Sequence, residues 1–390
     1  MIWPYLILAY LSLIVYGLSD NIRGPLFPEL IQHFGVSNTL GAWFYAVSSI
    51  FSFVGAWLCL HTLKKLDRVQ NLYSALFVLF IGLVGLGISQ NYYHLLLASA
   101  IFGLGLGQTT VIFNILATVG SSLKYRKQVI SGLHSMYALS SFLAPLVVAG
   151  IYRMGGQWSQ CFFFAAGLCA LLIVVGRWNY RKENPQLEKN IEGSPESKVD
   201  SLELPQQKRP PGIYILAIAF GFYVVAEILL SSRLALYLRL EKNFDLEKSS
   251  FYLTGFFLCL LTSRLIFSVR PPKLSVHLQL LTSLAISFVA ILLGLYIHEG
   301  FFIFAGLTMG PFYALSVIYV SEAFPQFLNQ AMALSMAVQS LMVVLMHVSS
   351  GWMTDQWGIA WAMLAGPLCL ASAMGLLWGF PRWKKSWSNL

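Results

Sequence analysis

Charge is scarce in this chain. Asp, Glu, Lys and Arg together make up 11% of its 390 residues against 57% hydrophobic ones, so about 220 apolar side chains must be kept from water. A soluble domain of this length has neither the interior to hold them nor the polar residues to cover them, which excludes most soluble enzyme classes. Cysteine is also rare: Cys59, Cys161, Cys169, Cys259 and Cys369 lie within or at the edges of apolar runs, at no metal-ligand or disulfide-framework spacing. They read as reduced packing residues. There is no phosphate-binding Lys loop, no zinc spacing, no nucleophile elbow in a plausible setting, and no acid, base and nucleophile constellation. The chain is therefore expected to be neither an enzyme nor a holder of cofactor or metal, and without a nucleotide site it is not a primary pump by itself. Gly103-Leu104-Gly105-Leu106-Gly107 has the look of a dinucleotide fingerprint, but it lies inside an apolar run, where close helix packing explains it better.

What is present is a series of long apolar runs. Six precede residue 177: Ile2 to Leu30, Leu40 to Leu60, Leu72 to Ile88, Leu95 to Val119, Val129 to Tyr152 and Cys161 to Gly176. Six follow Pro211: Ile213 to Leu238, Ser250 to Val269, Leu274 to Ile297, Phe301 to Phe324, Ala331 to Met353 and Ile359 to Phe380. Twelve crossings of ~20 residues consume about 240 residues, close to the apolar total. The expected fold class is an all-α membrane protein, with twelve transmembrane helices in two six-helix halves around a central cavity. The halves are 1–176 and 213–390, and 177–212 between them carries seven basic and six acidic residues with five prolines, the composition of a flexible linker. The first run has no basic n-region or small-residue cleavage site and reads as a retained helix rather than a signal peptide. A weak repeat relates the halves: Tyr16 with Asp20 and Tyr223 with Glu227 share an offset, and the fifth and eleventh runs end at Gly150 and Gly351.

The formal charge of +9 falls in the loops, which suits an anionic lipid leaflet rather than nucleic acid. With the N-terminus inside, eighteen Lys and Arg lie on the cytoplasmic side and four on the outer side, so both termini are expected in the cytoplasm of a plasma or bacterial inner membrane.

This organisation resembles the major facilitator superfamily over nearly the whole chain. Tyr223-Val-Val-Ala-Glu227 in the seventh run is similar to the Tyr-Val-Gly-Ala-Glu string of the fucose, galactose and glucose symporter group. In the fourth run Gly105, Gly107, Asn114, Thr118 and Gly120 match that group's spacing, and Gly17 and Pro28 match the ends of its first-span motif. The departures are equally specific. Gly24 stands where the group has an acid in the first span and Thr110 where it has a glutamate in the fourth, so the group's proton acids do not carry over. Its Asn-Pro pair is Asn114-Ile115 here, and the superfamily's second-loop signature is degraded to Leu60-His61-Thr62-Leu63-Lys64-Lys65-Leu66-Asp67-Arg68.

Ionisable groups at membrane depth cost free energy unless paired or hydrated, which singles out Asp20, Arg23, Glu227, Arg233, Arg264 and Glu322. Asp20 and Arg23 stand at i and i+3 before Gly24-Pro25, on one helix face and within reach of each other. They form either a self-satisfying ion pair or one that opens into the cavity, where Arg23 offers a forked donor to a carboxylate or a hydroxyl-rich solute. Glu227 has no basic residue one turn away and is expected to be desolvated without a partner, its pKa raised into the range of a proton carrier. His134 is the rival proton site. In transporters similar to this chain, charges such as Arg264 and Glu322 pair across helices and latch the inner gate; otherwise they snorkel.

Further polar residues at helical spacing extend the candidate solute site: with Asn21 and Arg23 come Tyr16, Tyr45, Gln108, Asn114, Tyr137, Tyr223, Tyr313 and Gln339, the proton-coupling set being Glu227, Asp20 and His134. Ser48, Ser52 and Ser316 stand nearby in the same pattern, although most such residues singly serve helix packing. The leading expectation is a secondary active transporter that moves a small polar solute, a sugar or organic acid, by alternating access in symport with protons (or sodium), working as a monomer. A proton antiporter exporting amphipathic compounds is the second reading, and a non-transporting membrane receptor or scaffold the third.

Overall fold

A computed structural model describes residues 1–63, 65–122, 124–180, 210–270 and 272–387, and all regular structure among them is helical. The helices are α1 (Trp3–Asn21), α2 (Arg23–Phe34), α3 (Asn38–Thr62), α4 (Arg68–Gly87), α5 (Tyr92–Gly120), α6 (Arg126–Arg153), α7 (Trp158–Tyr180), α8 (Pro211–Lys242), α9 (Leu246–Val269), α10 (Val276–Tyr296), α11 (Gly300–Met309), α12 (Phe312–Ala323), α13 (Leu328–Trp357) and α14 (Ile359–Trp387). They make twelve spans long and apolar enough to cross a membrane, α1 with α2 forming the first and α11 with α12 the tenth. Most bounds extend the sequence-based runs by a few residues where polar caps add a turn, while α10 stops short of its run at both ends. Asp67, Asn91, Asp245 and Ser275 each accept the backbone N–H three residues on, closing the first turn. Most of the stretch read as a linker lies outside the described residues; 177–180 continue α7, and Pro211 opens α8 at the first-turn position where a missing N–H is harmless.

Two spans are broken, each near a proline. Between α1 and α2 the break falls at Ile22, with Pro25 in the first turn of α2. In the tenth span Pro311 has no N–H to donate, and the helix restarts at Phe312.

Within the N-terminal half α5 is wedged between α3 and α4 through its glycines. A methyl group on Gly103 or Gly107 would collide with the carbonyl oxygens of Ser48 and Ser52 on α3, and one on Gly105 with the backbone of Leu79 on α4. The Gly-Leu-Gly-Leu-Gly string is thus a packing seam, as its apolar setting implied. The two repeat glycines are not equivalent: Gly150 faces open space, whereas Gly351 packs on Ala42 and the Asn38 backbone of the other half.

The halves meet through α2 with α8, α3 with α13 and α6 with α9. The polar contacts between them cluster at one end of the molecule, where α3 begins and α13 ends. Asp355 takes the N-terminus of α3, Arg239 pairs with Glu29, and Arg153 pairs with Glu247. An even number of crossings puts the N-terminus and the end of α14 at the opposite face.

Candidate functional site

Between the halves lies a cavity of about 560 Å³. Its closed end is made by Arg23, Tyr45 and His347, and it extends past Ser52, Ala56, Met336 and Ser340, away from the latched end. From Tyr45 to Ala56 the rise along α3 is roughly 16 Å at 1.5 Å per residue.

The Asp20–Arg23 pair forms as the i, i+3 spacing implies, and it lines this cavity. The helix break decides its geometry. Arg23 begins α2 and folds back, so that Nε donates to the Asp20 carbonyl at 3.2 Å and Nη2 binds the Asp20 carboxylate. Nη1 donates to Ser48 Oγ at 2.6 Å, and Ser48 in turn donates to the Tyr45 carbonyl at 2.9 Å. The guanidinium also lies over the rings of Phe102, Tyr45 and Phe44, at 4.9, 5.0 and 5.7 Å, which lowers the cost of burying it. The second oxygen of Asp20 accepts the Tyr137 hydroxyl at 3.0 Å. Tyr16, Asn21, Tyr137 and Gln339 join this wall, as do Ser48 and Ser52.

A second guanidinium reaches the same place from the other half. Arg233 on α8 is 1% exposed, and its head group sits 4.1 Å from the Phe27 ring and 5.3 Å from the Tyr45 ring. Nε donates to Ser350 Oγ at 3.3 Å and Nη2 to the His347 carbonyl at 3.4 Å, both long contacts to neutral acceptors. Nη1 has no partner, and no carboxylate pairs with Arg233 among the described residues. The His347 ring stacks on Tyr45 across the boundary between the halves, with centroids 4.7 Å apart and planes 11° from parallel. Arg233 stood out in the sequence as a buried charge but had no assigned place in the site, and His347 was missed. A lone histidine in the apolar eleventh run, one turn before Ser350, was the available signal.

Several expected site residues stand elsewhere. Glu227 is not an unpartnered acid: Arg264, on the neighbouring helix α9, lies 3.5 Å from its carboxylate. That removes the premise of an unpartnered acid on which the Glu227 proton role rested, and neither Glu227 nor Arg264 is in the cavity wall. Arg264 is correspondingly not a gate partner of Glu322, which is exposed. Arg264 Nε donates to the Gly310 carbonyl at 3.0 Å, and the Tyr223 hydroxyl donates to the Met309 carbonyl at 2.7 Å. These two carbonyls immediately precede the Pro311 break, so Tyr223 and Arg264, the latter paired with Glu227, brace the tenth span there. Tyr223 is 1% exposed and stacked on Phe312, hence not a solute contact. Tyr313, just past the break, is not in the cavity wall, and neither is His134, which is exposed on α6. On α5 the cavity face carries Leu106, Gly107, Thr110 and Val111. Gln108 is turned into the packed interior, and Asn114 folds back onto the Thr110 carbonyl at 2.8 Å.

A family model described as Major Facilitator Superfamily matches residues 9–302. The chain belongs to the major facilitator superfamily. Among curated proteins it is similar to Bypass of stop codon protein 6 of Saccharomyces cerevisiae, at 22% identity over 286 residues, covering 66% of this chain and 55% of that one. The chain thus spans about half the length of the curated relative it matches. Among solved structures this superfamily member resembles a D-xylose-proton symporter, with TM-score 0.76, 15% identity, and 97% and 98% of the two chains covered. It also resembles a bacterial homologue of the human lysosomal transporter Spinster in an inward-facing, occupied conformation, with TM-score 0.74, 12% identity, and 97% and 96% covered. Identities this low show the shared fold alone. The family and the twelve apolar spans together make the chain an integral membrane protein, with the cavity lying between its halves.

Proposed function

We propose that this chain is a secondary transporter that carries a small polar solute by alternating access in symport with protons. The observation that carries the reading is the Asp20–Arg23 pair at the closed end of the cavity, where a carboxylate, a guanidinium and the Tyr137 hydroxyl all face the solute path. Asp20, not Glu227, takes the proton role. Its protonation frees Arg23 to hold the solute with forked N–H groups; its ionisation reclaims Arg23 and expels the solute. The cavity extends away from the latched end, toward the face bearing both chain ends. Combined with the excess of Lys and Arg on that face, this is an inward-facing state with both termini cytoplasmic. The twelve spans of one chain enclose the whole path, which suits a monomer.

Asp20→Asn tests the coupling. In proteoliposomes with an imposed pH gradient the variant is expected to lose accumulation but keep exchange of solute across the bilayer. Undiminished accumulation would remove Asp20 from the coupling scheme. A second reading, export of amphipathic compounds against protons, is favoured by the apolar part of the wall, which includes Phe53, Val224, Ile228, Met336 and Val343. The direction of flux under the same gradient separates the two.

A further inference from the structure

The closed end of the cavity holds more positive charge than the protein neutralises. Two guanidiniums, Arg23 and Arg233, approach the Tyr45 ring, one from each half. Among the described residues a single carboxylate, Asp20, accompanies them, and Arg23 and Tyr137 already occupy both of its oxygens. The other candidate acids are committed elsewhere: Glu227 to Arg264, Glu29 to Arg239, and Asp355 to Asn38 and Thr39. Around the same ring three buried polar atoms have no hydrogen-bond partner among the described residues: Tyr45 Oη, Arg233 Nη1 and His347 Nδ1. A buried guanidinium without counter-charge and a group of orphaned polar atoms beside it form an unstable arrangement unless something else completes them.

We propose that the solute completes them: it is a small organic acid whose carboxylate enters the closed end and binds across the two halves through Arg23, Tyr45, His347 and Arg233. Tyr45 and His347 line the cavity, while Arg233 is buried against the Tyr45 ring outside the cavity wall. The carboxylate is admitted to Arg233 when the stack parts. With Asp20 ionised the two guanidiniums leave one unit of positive charge and with Asp20 protonated two, and a bound carboxylate reduces either excess by one. A neutral sugar would leave the charge unbalanced and Arg233 Nη1 unpaired. Because the binding groups come from both halves, the anion itself holds them together while it is bound.

The inference rests on the cavity being the transport path, but its test is a binding measurement that needs no gradient. The full chain in lipid nanodiscs is titrated by thermal shift with C2 to C8 aliphatic, hydroxy and aromatic monocarboxylates, each beside its uncharged primary amide, and with glucose and glucose 6-phosphate. One or more carboxylates are expected to raise the melting temperature in a saturable way while the matched amides do not. Arg233→Gln should weaken that carboxylate at least tenfold, and Arg233→Lys, which keeps the charge and loses the fork, should weaken it less. Equal binding of acid and amide, a response to glucose or to glucose 6-phosphate alone, or no response across the carboxylates overturns the proposal, as does full affinity in Arg233→Gln. If Arg233→Gln does not fold, His347→Ala takes its place with the same tenfold criterion. Carboxylate binding without flux would instead count against the transport reading and leave this one standing.

Discussion

Asp355 of the C-terminal half caps the helix that begins at Asn38 in the N-terminal half. One carboxylate oxygen accepts the Thr39 backbone N–H at 2.7 Å and its hydroxyl at 2.5 Å, and the other accepts the Asn38 backbone and amide N–H groups at 2.8 and 2.9 Å. Four donors converge on one anion at a helix N-terminus, where orphaned N–H groups and the helix dipole favour negative charge. At the same end the exposed Arg153–Glu247 pair, between α6 and α9, contributes little. Asp355→Ala is therefore expected to weaken closure at this end by about 1–3 kcal/mol, a 5- to 150-fold change in the ratio of closed to open molecules. Distance distributions between spin labels at positions 40 and 357 would show it as a new longer population, whereas an unchanged distribution would deny Asp355 the latch role.

The pairing of Glu227 with Arg264 leads to a second expectation. Glu227→Gln leaves a guanidinium that still binds the Gly310 carbonyl, so the cost is one of stability, about 1–2 kcal/mol after allowing for the partial exposure of both side chains. Proton-driven uptake should survive in the molecules that remain folded. Melting temperature and uptake per folded molecule, measured together, distinguish this from a coupling role.

Ser48 orients Arg23 through a charge-assisted hydrogen bond of 2.6 Å. Such bonds contribute ~1.5–3 kcal/mol, so Ser48→Ala should weaken solute binding by roughly an order of magnitude. Isothermal titration of the purified variant measures this, and affinity equal to the parent's would show that Asp20 alone sets the position of Arg23.

Gly107→Val places three extra carbons against the Ser52 carbonyl. Overpacking of this kind costs about 1–3 kcal/mol or more, and the resulting shift of α3 moves Ser48 as well. A fall in melting temperature with impaired solute binding is expected; a variant with parental stability would mean that the seam is looser than the geometry indicates.

What the sequence made legible follows from the range over which each signal acts. Span number is a property of run length, and it survives intact. Asp20 and Arg23 were legible because one helical turn joins them, and the break at Ile22 changes only which carbonyl Arg23 also reaches. Glu227 and Arg264 pair between adjacent helices, so a search for a cation one turn away could not find the partner. Arg233, Tyr45 and His347 come from three helices and both halves, and only the docking of the halves brings them together. The pattern Tyr16–Asp20 and Tyr223–Glu227 implied like roles that tertiary packing separates, one pair facing the cavity and the other bracing a broken helix.

The Tyr45–His347 stack has one further consequence. Parallel rings are held by dispersion and carry no directional bond, so they slip sideways more readily than they pull apart. The barrier in front of Arg233 is on that account a shutter rather than a bolt. A small lateral displacement of α3 against α13 is therefore expected to part the rings more readily than a separation of the halves.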